Sequence, residues 1–281
     1  MSLFLQNENY CLILNSTMNI ENNALTSLIV NNDDCKRGKH FPLTDIYNEG
    51  WMLRLTLNKL GSNDELKKIL RCEVNKQWFS EAELPSPFLQ GKLNEKRTHA
   101  DAVIGSFAFE GEGEEKETKT GVKIDSNNFK YFYAIEAKMY SSLSKGITHC
   151  KEYNQATRYI GCLAYMAFKS KITKAEFNKL GLFIFCPKNT NSIKYNNESI
   201  KKEIEKELND RIIEYRSNNP SINNDFFSWW EGQKDSFLRT IVVEIHHWEE
   251  IINENKDKEL FDFYEKCKLY NCNYKSKRNK R

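Results

Sequence analysis

Four short apolar runs limit how this chain can fold. They are HADAVIGSFAFE (His99–Glu110), YFYAIEAKMY (Tyr131–Tyr140), LGLFIFCP (Leu180–Pro187) and TIVVEIHHW (Thr240–Trp248). All are of strand length, and none is long enough to cross a bilayer. The first alternates between apolar and polar, whereas the third is apolar throughout and reads as a strand buried on both faces. Helix-period segments separate the later runs: Lys151–Phe168, Glu198–Arg216 and a stretch opening at Asp225–Trp230. Short strands interleaved with helices predict an α/β fold, with a mixed central sheet flanked by helices.

Upstream, DIYNEGWMLRLTLNKL (Asp45–Leu60) carries Ile46, Trp51 or Met52, Leu55 and Leu60 at helical spacing, and Gly61 ends it. A second helix is expected from Asp64 to about Phe79. Pro85 and Pro87 force Leu84–Phe88 to be extended or turned. The polar, glycine-containing GEGEEKETKTG (Gly111–Gly121) reads as a surface hairpin loop. Residues 1–40 are rich in Asn and show no sustained period; they are compatible with a small strand pair around Tyr10–Leu14 and Ser27–Val30. With no internal repeat, the reading is one domain over 45–253, preceded by an N-terminal extension (1–44) and followed by a C-terminal helix and basic tail (254–281).

A chain of 281 residues, 40% of them hydrophobic, can bury a substantial core. The N-terminus lacks a basic region and carries Asn and Glu within its first ten residues, so neither a signal peptide nor a membrane span is expected, and the expected location is the cytoplasm. Eight scattered cysteines with no Cys-x-x-Cys pair fit reduced thiols. Cys267 and Cys272, with His246 and His247 nearby, match no standard zinc spacing. Five of the 42 basic residues fall in the final KSKRNKR, which leaves a near-neutral body with a cationic end. Such an end can approach a polyanion, and it reads equally well as a solvated terminus.

Two charges stand out because they interrupt a strand. Glu136 and Lys138 lie two residues apart in YFYAIEAKMY and so face the same way on an extended chain. Burying either unpaired is costly. They form an ion pair at a strand end, or they serve a ligand. In HADAVIG, Asp101 shares the alternating face with His99 and Val103, while Ala102 and Ile104 point the other way; a turn or cap role for Asp101 is the alternative. A strand, a hairpin and a second strand would bring Asp101 close to Glu136. Neighbouring carboxylates repel unless a cation lies between them. Mg²⁺ is the natural occupant, a hard ion that takes oxygen ligands and keeps waters. Lys138 is then placed to orient or deprotonate water, or to steady charge on a phosphoryl oxygen.

Asp101 followed by Glu136-Ala137-Lys138 resembles the PD-(D/E)XK nuclease superfamily, with Ala100 where the name has Pro. The resemblance covers about Asp45–Pro187. It implies a restriction-endonuclease-like αβββαβ core and a metal site of Asp101, Glu136 and Glu49, the last from YNEGWMLR on the first helix. It also implies Lys138 as a catalytic group and Mg²⁺ as cofactor, with Mn²⁺ able to substitute. On the following helix Ala156, Ile160, Leu163, Ala164 and Ala167 make an apolar stripe, and Lys151, Gln155, Arg158 and Cys162 make a second one. Gln155-Ala-Thr-Arg-Tyr159 is similar to the Q-x-x-x-Y motif of the RecB and λ-exonuclease branch, which implies that Gln155 supports catalysis and that Tyr159 contacts nucleic acid with Arg158 and Lys151. The loop SSLSKGITH (Ser141–His149), with Lys145, would bind phosphate or simply connect. Of the histidines, His99 stands nearest the acids. His149, His246 and His247 fit surface or core positions, and Trp229, Trp230 and Trp248 fit core packing.

The resemblance implies a Mg²⁺-dependent deoxyribonuclease of restriction or anti-phage defence. Its partners would be DNA, the proteins of a defence complex, or a second copy of the chain. The rival reading is a catalytically idle nuclease-fold module that binds nucleic acid or a protein.

Overall fold

The structure is a computed structural model that describes residues 43–60, 63–71, 77–95, 97–111, 121–146, 150–151, 153–188, 197–222, 225–252 and 257–272. The strand pair suggested near Tyr10–Leu14 and Ser27–Val30 lies outside the described residues. So do the centre of the Gly111–Gly121 loop, the end of the Ser141–His149 loop and the KSKRNKR tail.

Helix α1 (Leu43–Ile46) and helix α2 (Glu49–Asn58) replace the single helix expected over Asp45–Leu60. The break has a local cause: Asn48 is in an extended conformation, and its side-chain oxygen accepts the Trp51 N–H at 3.0 Å, which starts a new helix. Helix α3 (Asp64–Ile69) is capped in the same way by Asn63 and is far shorter than expected. Arg71, just after it, has a left-handed φ of 50°. Trp78 and Phe79 therefore do not end a helix. They open strand β1 (Trp78–Leu84), an element the helical reading of that stretch hid.

Strand β2 (Thr98–Gly105) pairs antiparallel with β1. The run His99–Glu110 breaks at Gly105, where φ is +123° and a Cβ would lie 2.2 Å from the Tyr131 carbonyl oxygen. Only glycine fits there. Beyond it β3 (Phe107–Phe109) leaves the main sheet and pairs antiparallel with β4 (Val122–Ile124). Strand β5 (Phe132–Ala137) returns beside β2. Helix α4 (Gln155–Lys169) crosses over to β6 (Leu180–Cys186), a short 3₁₀ turn (Lys174–Lys179) intervening, and β6 runs parallel to β5. Helices α5 (Asn197–Asn218) and α6 (Asp225–Thr240) lead to β7 (Val242–His247), parallel to β6. The chain then forms α7 (Trp248–Ile251) and α8 (Lys258–Cys272).

The result is a mixed five-strand sheet in the order β1-β2-β5-β6-β7, flanked by helices. One apolar core lies on the α4, α5 and α6 side and takes in Val103, Phe132, Ala134, Leu182 and Ile184. The other lies on the α2 and α8 side and takes in Ile104, Tyr133, Ile135, Phe183 and Phe185. Alternate residues of β5 and β6 feed opposite cores, so β6 reads as apolar throughout and β5 as apolar up to Glu136. Helix α8 is part of the same body: Asn271 donates to the Tyr47 carbonyl at 2.6 Å, and Tyr47 stacks on Tyr270. Trp230 and Trp248 are fully buried. Among the described residues no helix is long and apolar enough to cross a membrane.

Candidate active site

The antiparallel ladder between β2 and β5 stops at Ala102–Ile135. Two residues further, an unbroken ladder would set Ala137 opposite Ala100. Instead the Ala137 N–H donates to Asp101 Oδ2 at 2.7 Å. A carboxylate thus takes the place of a backbone carbonyl, and the two strand ends separate around it.

The same position breaks the alternation expected of β2. Ala100 and Val103 pack in the α4-side core, while Ala102 and Ile104 pack in the α2-side core. The parity changes at Asp101, so its side chain lies along the sheet toward β5 rather than on the face shared by His99 and Val103. On β1 the residue that falls between the paired positions Ser80↔Ala102 and Ala82↔Ala100 is Glu81, whose φ is 55°. A non-glycine residue there is strained.

Glu136 sits at the end of β5 with 1% of its side chain exposed. Its carboxylate has three partners. Oε1 accepts from Lys138 Nζ and from Gln155 Nε2, the latter at 2.6 Å, and Oε2 faces the Tyr159 hydroxyl. That hydroxyl also lies 2.8 Å from the His99 carbonyl oxygen, so its single proton serves two acceptors. Burial, and the charges of Glu136 and Asp101, hold the Tyr159 phenol well above its usual range, which keeps it a donor. The Lys138 backbone is fixed from both sides: its N–H donates to the Phe185 carbonyl, and the Trp248 indole donates to the Lys138 carbonyl.

Helix α4 starts at Gln155 because Asn154 caps it, accepting the Thr157 N–H at 2.9 Å. Asn154 is held in turn by Glu203 and Glu207 of α5. Gln155 therefore occupies the first turn, directly over Glu136. Its side-chain Oε1 accepts the Ser144 N–H at 3.3 Å, and Arg158 Nη2 donates to Ser144 Oγ at 2.8 Å. Two members of the expected second stripe depart from it. Lys151 precedes the helix and is exposed in a turn, and Cys162 is buried. Lys145 is exposed in the loop before α4. His99 is exposed and faces Glu83 of β1 at 3.4 Å. Tyr159 is fully buried, so it reaches the site as a support for Glu136 rather than as a surface contact.

Burial pushes Asp101 up to about 7; the neighbouring charges of Glu136 and Glu81 add to this, while the Ala137 N–H and Lys138 oppose it. Two acids crowded in a poorly solvated spot resist sharing negative charge, and a divalent cation between them would remove that resistance. Among the described residues no three His, Cys, Asp or Glu side chains stand as a ligand group. Two carboxylates, with water or phosphate oxygen for the rest, are nevertheless a usual shell for Mg²⁺, so the donor set fits that ion.

Glu49, the third ligand expected from the resemblance, opens α2 half-buried, and its charge bears on Cys267 of α8, whose thiol burial pushes up first. The further acid that bears on Asp101 is Glu81. It is half-exposed and paired with Arg54 of α2 at 2.8 Å. Sequence reading missed it because β1 was itself missed; the alternating WFSEAEL was the available signal.

No protein-family model, curated protein or solved structure matches the chain.

Proposed function

We propose that this protein is a divalent-cation-dependent nuclease that hydrolyses phosphodiester bonds of DNA. The observation that carries the reading is the meeting of Asp101, Glu136, Lys138 and Gln155 where β2 and β5 separate. The order α2–β1–β2–β5–α4–β6 supports a restriction-endonuclease-like αβββαβ core, with β3 and β4 as an insertion.

Asp101 and Glu136 would hold Mg²⁺, or Mn²⁺ in its place. Such an ion, when bound, polarises the scissile phosphate and makes a coordinated water acidic enough to supply hydroxide near neutral pH. The remaining work falls to the chain. Lys138 offers an ammonium to a non-bridging phosphoryl oxygen, or in its neutral form takes the proton of the attacking water. Gln155 and Tyr159 keep the Glu136 carboxylate from rotating. Arg158, with Lys145 and Lys151 exposed in the segment before α4, would contact the phosphate backbone.

A role in restriction or anti-phage defence in the cytoplasm, alone or as the effector subunit of a complex, is consistent with this chemistry. The test is incubation of the purified protein with plasmid DNA and Mg²⁺ or Mn²⁺, beside Glu136→Ala and Lys138→Ala. Cleavage by wild type, lowered roughly 100-fold or more in each variant, supports the reading. Equal degradation by all three overturns it. DNA binding with no cleavage by any of them supports the idle-module reading instead.

A further inference from the structure

At the end of β5, Lys138 Nζ already rests on Glu136 Oε1. The other donor to that oxygen, Gln155 Nε2, comes from α4, and Oε2 is taken from the far side by Tyr159. The charges of Glu136 and Lys138 both bear on Asp101, so the ammonium already stands with the two carboxylates. We infer that Lys138 occupies the cation position of the site, and that a divalent ion binds by exchanging with its ammonium. This inference rests on the nuclease reading and gives Lys138 a second role, as the residue that sets metal affinity.

Three observations make the exchange physically easy. The Lys138 backbone is clamped by Phe185 and Trp248, so only the side chain needs to move, and its four rotatable bonds allow that without disturbing the strand. That side chain is 12% exposed against 1% for Glu136, which leaves it a path toward solvent. Finally, an ion of charge two attracts Glu136 and Asp101 together more strongly than one ammonium does, because Coulomb attraction scales with charge and both acids lie within reach. The displaced ammonium stays tethered two residues from the metal ligand, where an incoming phosphate would meet it. Ion occupancy and lysine availability are then one event.

The test is Mn²⁺ affinity, measured by isothermal titration calorimetry on protein stripped of divalent cations. Lys138→Met removes the competing ammonium and keeps the length of the chain; it is expected to bind Mn²⁺ roughly tenfold more tightly, the factor expected when a competitor worth about 1.4 kcal/mol is lost. Lys151→Gln removes an exposed positive charge in the turn before α4 and is expected to change affinity by less than about twofold. Equal or weaker binding by Lys138→Met overturns the exchange, as does an equal gain in Lys151→Gln, which would mean general electrostatics.

Should Lys138→Met fail to fold, the wild-type protein still decides the matter. With labelled lysine, the Lys138 ¹³Cε and ¹⁵Nζ resonances must shift on Mg²⁺ addition with the midpoint that calorimetry gives for Mg²⁺; a signal that stays put overturns the exchange. The two readings fail separately. Wild-type binding of Mn²⁺ that is lost in Glu136→Gln, with no effect of Lys138→Met, overturns the exchange and keeps the metal site. No Mn²⁺ binding by any form overturns both.

Discussion

Asp101 Oδ2 accepts the backbone N–H of Ala137 at 2.7 Å, just beyond the last ladder pair of β2 and β5. This bond closes the sheet end with a side chain and holds one carboxylate beside another. A peptide carbonyl in that place would satisfy the N–H equally well but could not ligate a cation with a full charge. Holding two buried acids side by side costs stability, and that cost can be measured.

Asp101 is held up to about 7, above its ordinary 3.8. A raised carboxyl contributes stability below its unfolded value, and that contribution is lost as pH climbs through the folded value. Protein stripped of divalent cations should therefore lose stability between about pH 4 and pH 7 because of this group, by about 1–3 kcal/mol. Asp101→Asn keeps an acceptor for the Ala137 N–H and has no charge to lose, so urea unfolding at pH 8.5 should find it more stable than wild type, while at pH 4 the two converge. Glu81→Gln removes one of the repelling charges and should move the wild-type midpoint to lower pH. Identical pH profiles for wild type and Asp101→Asn would show that the crowding has no energetic weight.

Tyr159→Phe leaves Glu136 Oε2 and the His99 carbonyl without their hydroxyl partner. A buried acceptor stripped of its donor costs about 1–3 kcal/mol. Chemical denaturation should show that loss. Cleavage should fall mainly in kcat, because the residue positions a carboxylate and does not touch the substrate. A pure KM effect with unchanged stability would instead make Tyr159 a nucleic-acid contact.

Outside the Asp101–Glu136 cluster, Arg211 is fully buried against Glu95 at 2.9 Å, beneath Phe88 at 4.7 Å. Burial holds Glu95 above its ordinary value despite the guanidinium. Arg211→Met strands that acid and should cost about 3–5 kcal/mol, whereas Arg211→Met with Glu95→Gln should cost distinctly less. Urea midpoints of the single and double variants check this; equal losses would mean that lost packing, and not the stranded charge, sets the cost.

Removing the final KSKRNKR takes away five cations. Affinity for duplex DNA should fall, and the dependence of log K on log salt should flatten by up to about 0.9 for each phosphate the tail neutralises. The rate of cleavage at saturating DNA should stay the same. An unchanged salt slope, read by fluorescence anisotropy across a salt series, would confine DNA binding to the body of the protein.

Much of this molecule is written locally. The strands Phe132–Ala137, Leu180–Cys186 and Val242–His247, and the helices that separate them, follow from side-chain period alone, because burial on one or two faces imposes a repeat that neighbours in sequence display. The alternation of YFYAIEAKMY likewise marks Glu136 and Lys138 as an exception needing a partner. Other features depend on contacts distant in sequence. Strand β1 looks helical until its pairing with β2 is known, since strand propensity is largely the fit to a neighbouring strand. The helix after Asp64 ends early for reasons its own composition does not carry. Asp101 leaves the face assigned to it because the Ala137 N–H, 36 residues away, needs an acceptor where the ladder fails. Glu81 bears on that acid for the same reason: which charges meet is settled by how strands and helices assemble. Sequence period determines what each segment buries, and only the assembled sheet decides which buried charges come to share one place.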